Sequence, residues 1–136
     1  MKRIVLDTCF LINLFKNPES CITADLSTYG EVLLPSVVIG EFRAGLFPGK
    51  EGDRNRRILE EYCARSFVRI VPVTERTAEV YAKVYQSLRK QGTPIPQNDM
   101  WIAACALEHG ADIATQDEHF KAVPMLTVIT IPCMPG

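Results

Sequence analysis

Asp7, Glu41, Asp99 and Asp117 lie far apart along the chain, each at or within a turn of a point where an apolar run gives way to polar residues. Carboxylates are hard oxygen donors, and a fold that gathers them makes a pocket for a hard divalent ion such as Mg²⁺ or Mn²⁺. Without a cation they would conflict. At ~4 Å and an effective dielectric of ~20, each like-charged pair costs about 4 kcal/mol, so some would have to protonate. An ion held by few protein ligands keeps waters that are activated for attack or exchanged for phosphate oxygens. These residues therefore point to metal-dependent hydrolysis of a phosphodiester.

Each acid also has a bland reading. An aspartate near a helix N-terminus is commonly there because the macrodipole favours it, and this accounts for Asp99 as readily as a ligand role does. Asp7 stands between Arg3-Ile4-Val5-Leu6 and Phe10-Leu11-Ile12-Asn13-Leu14-Phe15; a helix cap or a turn would explain it. Glu41 is harder to dismiss, because it sits among Val37, Val38, Ile39 and Phe42 and a carboxylate is rarely buried without a partner. Asp117, in Thr115-Gln116-Asp117-Glu118-His119-Phe120, can simply cap a short helix, with Glu118 as a competitor for any acidic role.

The elements that must position these groups alternate. Nearly continuous Val/Ile/Leu runs at 4–6, 32–34, 68–73, 112–114 and 126–131 read as strands, several without the polar alternation of a one-sided sheet. Helical spacing lies between them: after Thr8, over 37–44 with Ser36 as cap, and over 53–65. A long helix after Thr74 carries Ala78, Tyr81, Ala82, Tyr85 and Leu88 on one face, and another spans 99–109, capped by Asn98 and stopped by Gly110. Strands separated by helices favour a mostly parallel sheet covered on both faces, with right-handed crossovers. On that skeleton Asp7 follows strand one, Glu41 lies early in the helix after strand two, Asp99 opens a helix and Asp117 follows strand four. All four can face the carboxyl end of the sheet, where open α/β folds bind ligands.

At 136 residues the chain is expected to form a single domain over 1–136, burying roughly 68–70% of its unfolded surface. With 47% hydrophobic and 23% charged residues and a net charge of −1, it carries no global field to draw it onto nucleic acid or anionic lipid, so a polyanion must be held locally. The apolar stretch at the N-terminus is too short for a signal peptide, and no segment approaches ~18 apolar residues, so a cytoplasmic location is expected. Cys9, Cys21, Cys63, Cys105 and Cys133 contain no C-x-x-C pair and read as reduced thiols.

Other features carry less. Cys105 and His109 are i, i+4 on one helix and His119 follows, but no fourth zinc ligand has suitable spacing. Lys50, Arg54, Arg56 and Arg57 suit phosphate contacts or a solvated helix face. Tyr81, Tyr85 and Leu88 read as core, with a spare apolar stripe there or at Phe42 and Phe47 available to a partner. Trp101 suits either packing or base stacking.

In order along the chain, Asp7-Thr8 after an opening strand, Glu41-Phe42-x-x-Gly45, Asn98-Asp99-x-x-Ile102-Ala103-Ala104 and Thr115-x-Asp117-x-x-Phe120 resemble the PIN domain. The short format is similar to the VapC toxins of type II toxin–antitoxin modules. The resemblance spans nearly the whole chain and implies a three-layer α/β/α sandwich around a mostly parallel sheet. It further implies a Mg²⁺-dependent endoribonuclease, with Mn²⁺ as a substitute, that cleaves RNA phosphodiester bonds through a metal-activated water. It implies an antitoxin partner of the VapB kind and a homodimer. By resemblance Asp7 and Asp99 are the metal ligands, Glu41 and Asp117 complete the pocket, and the Thr115 hydroxyl orients water or an acid. Cys9 departs from the pattern, where a small polar residue is usual. Two rivals remain. A receiver-like phospho-acceptor module needs an aspartate after strand three and a lysine after the last, where this chain has Pro72-Val73-Thr74-Glu75 and Ile131-Pro132-Cys133. A silent PIN-type binding module would not need all four acids.

Overall fold

The computed structural model describes residues 1–16, 26 and 28–130. Five strands form one sheet in the order β3-β2-β1-β4-β5: β1 (Arg3–Leu6), β2 (Glu31–Pro35), β3 (Val68–Val71), β4 (Asp112–Thr115) and β5 (Val128–Thr130). All pairings are parallel, with Leu6 in register with Ala114 and Pro35 with Val71. The helices are α1 (Thr8–Lys16), α2 (Ser36–Leu46), α3 (Gly52–Cys63), α4 (Glu75–Gln91) and α5 (Gln97–Glu108), with a 3₁₀ turn at Glu118–Ala122. They flank the sheet as a three-layer α/β/α sandwich.

The central strands are apolar on both faces because both faces are covered. Ile4, Val5, Leu6, Leu33, Leu34, Ile113 and Ala114 are wholly buried, as in parallel sheets generally. The edge strand β3 differs: Arg69 and Ile70 are exposed between buried Val68 and Val71. Phe10, Phe42, Ile102 and Phe120 fill the layers between helices and sheet.

Local chemistry sets the boundaries, and several differ from the sequence expectation. Ser36 does not cap α2. Strand β2 extends to Pro35, which takes the N-cap position at φ −60° and ψ 146°, while the Ser36 hydroxyl donates to the Val71 carbonyl at 3.2 Å. Asn98 does not cap α5 either; the helix starts at Gln97 behind Pro96, which holds φ −55° and ψ 146°. In both cases proline holds the N-cap position with its φ fixed and has no side-chain acceptor to offer, so the chain enters the helix without a side-chain cap. Strand β3 stops at Val71 because Pro72 cannot donate to a ladder. Strand β5 begins at Val128, after Met125 at φ 69°; Ile131, the expected end, lies outside the described residues.

Thr74 does cap α4, in a capping box. Thr77 N–H donates to Thr74 Oγ1 at 3.4 Å and Thr74 N–H donates to Thr77 Oγ1 at 3.0 Å. At the end of α5, Gly110 at φ 61° forms a Schellman turn. Its N–H donates to Leu107 O at 3.2 Å, and Ala111 N–H to Ala106 O at 2.8 Å. A side chain at Gly110 would be strained, so glycine here sets the entry into β4, the strand that carries Thr115. Cys9, Cys63 and Cys105 are free thiols; Cys21 and Cys133 lie outside the described residues. No helix among the described residues is long and apolar enough to cross a membrane.

Candidate active site

Strand order determines where side chains converge. From β1 the chain passes to β2 on one side, and from β4 it passes to β5 on the other. The carboxyl ends of β1 and β4 therefore flank a topological switch point, the usual crevice of an open α/β sheet. Asp7 follows β1, Thr115 ends β4 and Asp117 comes two residues later; α2 brings Glu41 and the start of α5 brings Asp99. The result is a cleft of about 420 Å³ lined by Asp7, Thr8, Glu41, Asn98, Asp99 and Asp117, among others. The fold brings all four sequence-predicted acids together.

Asp7 is the deepest, with 3% of its surface exposed. Both of its oxygens are bonded. Oδ1 accepts the Phe10 N–H at 2.8 Å, which makes Asp7 the cap of α1, and Oδ2 accepts the Thr115 hydroxyl at 2.5 Å. The cap reading and the site reading are therefore both true of one residue. Burial raises the Asp7 carboxyl from 3.8 to about 6, against the lowering effect of Thr115 and Phe10 and with help from the charges of Asp99 and Asp117. Asp99 is also raised, first by burial and then by Glu41 and Asp117, while His119 opposes the shift. Even Cys9, exposed at the rim, has its thiol pushed up by partial burial and by the four carboxylates.

The remaining contacts fix the acids in place. Glu41 accepts the Thr8 hydroxyl on Oε1 at 2.6 Å and the Asn98 amide on Oε2 at 3.3 Å. Thr115 Oγ1 donates to Asp7 and accepts the Asp117 N–H at 2.9 Å, so one hydroxyl joins two of the acids. Thr115→Val should therefore leave a buried carboxylate short of a donor, at about 1–2 kcal/mol of stability. Thermal melts in EDTA would measure it, and an unchanged Tm at pH 7 would show that the bond adds nothing.

Sequence reasoning did not place His119 with the acids. Its Nε2 lies 2.8 Å from Asp99 Oδ2 and its Nδ1 3.5 Å from Asp117 Oδ1, so the ring bridges two acids of the cleft. The available signal is its place two residues after Asp117, in a turn anchored by fully buried Phe120. Among the described residues, Asp99, Asp117 and His119 form a group whose ligand atoms lie within 4.8 Å of one another, and neither Cys105 nor His109 belongs to it. Cys105 is instead buried in α5, with its thiol pushed up to about 12 by burial. Glu118, the competitor for Asp117, is exposed and pairs with Lys121 at 3.3 Å.

The other candidates lie elsewhere. Trp101 stacks on Tyr81 with ring centroids 3.9 Å apart, which joins α4 to α5. Arg56 and Arg43 lie over the Phe47 ring at 4.7 and 4.9 Å, and Arg54 pairs with Glu51 at 3.8 Å. Lys50, Arg54, Arg56 and Arg57 are exposed, and none lines the acidic cleft.

The donor set fits a hard cation. Burial, with the neighbouring charges adding to it, raises two of the four carboxylates, and a bound ion would relieve both effects. The fold and cleft define an α/β protein of the acidic switch-point class, and comparison with known proteins gives the family. The PIN domain family matches residues 4–126. Ribonuclease VapC4 of Mycobacterium tuberculosis is 35% identical over 95 residues, 70% of this chain and 73% of its own. Ribonuclease VapC of Rickettsia bellii is 30% identical over 132 residues, 95% of this chain and 96% of its own. The crystal structure of VapBC-5 from Mycobacterium tuberculosis, a member of the VapBC family of toxin–antitoxin systems, superposes with a TM-score of 0.72 at 26% identity, covering 96% of this chain and 98% of that one. This chain belongs to the PIN domain family, among its VapC members.

Proposed function

We propose that the protein is a divalent-metal-dependent endoribonuclease and the toxin of a type II toxin–antitoxin pair. One observation carries the chemistry: four acids from four separate elements meet at the switch point, and the most buried is raised to about 6. Such a carboxylate is costly unless a cation occupies the cleft. The names of the VapC relatives support RNA as the substrate, and the VapBC-5 neighbour supports a VapB-like antitoxin partner. A homodimer is part of the same family reading, as is a single catalytic domain over 1–136.

Asp7 and Asp99 would hold the ion, Mg²⁺ in the first instance with Mn²⁺ as a substitute. Bound there, a divalent ion supplies charge stabilisation to a phosphodiester and lowers the pKa of water. The protein's own residues do the positioning. Thr115 fixes the rotamer of Asp7 and, through the Asp117 N–H, the backbone at the rim. Thr8 and Asn98 fix Glu41, leaving it and Asp117 to orient a water and to take up its proton.

The test is cleavage of total RNA with and without EDTA, followed by restoration with excess Mg²⁺. Cleavage that stops with EDTA and returns with Mg²⁺ is expected. Cleavage insensitive to EDTA, or no cleavage at any Mg²⁺ concentration by antitoxin-free protein, would overturn the reading.

A further inference from the structure

We propose that His119 is a nitrogen ligand of the cation in this cleft, so that the centre ranks imidazole-binding later first-row ions such as Co²⁺, Ni²⁺ and Zn²⁺ above Mg²⁺. The inference rests on the preceding reading that the cleft holds a divalent ion, and goes beyond it in naming a ligand and a metal preference. Carboxylate and water sets suit Mg²⁺, whereas imidazole suits the later first-row metals. His119 changes the donor set from oxygen alone to oxygen plus nitrogen.

Geometry supports ligation over a passing contact. An ion with bonds of about 2.1 Å places neighbouring ligands about 3 Å apart and opposite ones about 4.2 Å apart. His119 Nε2 and Asp99 Oδ2 are 2.8 Å apart, the separation of neighbouring ligands on one ion, and Asp117 Oδ1 lies 3.5 Å from Nδ1, on the side of the ring away from that pair. The first spacing matches a shell that closes with small side-chain adjustment. A neutral imidazole carries a proton on one nitrogen only. One nitrogen is thus free to ligate while the other donates to the adjacent carboxylate, the arrangement that fixes tautomer and ring plane around metal-bound histidines.

Position supports it too. Phe120 is fully buried and its ring lies 4.9 Å from that of His119, so the 3₁₀ turn is anchored and the imidazole is presented to the cleft. His119 is half-buried, and its partners come from two elements, Asp99 from α5 and Asp117 from the turn after β4.

The direct test is pulsed EPR of Mn²⁺ bound to the tag-free protein, which reads ¹⁴N hyperfine coupling without reference to activity. Coupling of imidazole type is expected in the wild type and should disappear in His119→Phe. The chain has two histidines, and His109→Phe should leave the coupling intact. In titrations, His119→Phe should weaken Co²⁺ and Zn²⁺ at least about tenfold more than Mg²⁺. Bound Mn²⁺ without ¹⁴N coupling in the wild type would overturn the assignment and, if RNA is still cleaved with Mg²⁺, leave the nuclease reading standing. A wild type that binds no divalent ion would overturn both. The wild-type spectrum needs no variant to fold, so the assignment stays testable whatever the substitutions do to stability.

Discussion

Asp7→Asn and Asp99→Asn should each lower divalent-dependent RNA cleavage by at least about 10²–10³-fold, because in the proposed mechanism each removes a charge that holds the ion. Charge stabilisation by a bound ion is worth several kcal/mol, and each 1.36 kcal/mol is tenfold in rate. The substitutions are near-isosteric. In the first, the new amide keeps an oxygen to accept the Phe10 N–H and preserve the cap of α1; in the second, it keeps an oxygen toward the His119 ring. A fall in rate would therefore report on the metal rather than the fold. The same variants should lose most of the rise in Tm that the wild type shows on adding Mg²⁺, since a ligand stabilises only by binding the native state. If both retain full cleavage, Asp7 and Asp99 are not the ligands. Glu41→Gln and Asp117→Asn should cost less, about 10–100-fold, if they orient water and support the ligands rather than hold the ion.

How far this site is legible without coordinates depends on which force fixes each residue. The parallel strands can be read directly, because burial on both faces demands uninterrupted apolar runs. Once they are placed, the acids that follow β1 and β4 are carried to the switch point by topology alone. Two of the expected helix caps, Ser36 and Asn98, depart from expectation for one physical reason, while Thr74 caps its helix as expected. Pro35 and Pro96 set the backbone for α2 and α5, so Ser36 and Asn98 are free to bond elsewhere, Ser36 to Val71 and Asn98 to Glu41. Asp7 reads either as a cap or as a site residue, and the structure makes it both. His119 stays hidden because no periodicity marks it. Its approach to Asp99 depends on how a 3₁₀ turn after β4 meets the start of α5, a tertiary event that spacing along the chain does not encode.

The buried Asp7 carboxyl should make the metal-free protein lose stability as pH rises, the reverse of the usual behaviour of a paired aspartate. Its folded-state pKa of about 6 lies above the unfolded value of 3.8, so the native state binds the proton more tightly. Its favourable contribution is complete below pH 3.8 and is lost as pH passes through about 6. The difference between those values corresponds to about 3 kcal/mol at pH 7. Asp99 is raised as well and adds in the same direction. Asp7→Asn carries no titrating proton, so it isolates the effect. In EDTA the variant should match the wild type near pH 4 and exceed it by about 3 kcal/mol at pH 7–8, measured by denaturant unfolding. A difference that stays flat with pH would show that burial does not raise this carboxyl. With Mg²⁺ at a thousandfold excess over Kd the order at pH 7 should invert, because the wild type then gains about 4.1 kcal/mol from binding that the variant lacks, more than the cost of the buried charge. The stability cost of Asp7 in the metal-free protein and its proposed use as a ligand would then have the same origin: an anion buried where a cation relieves it.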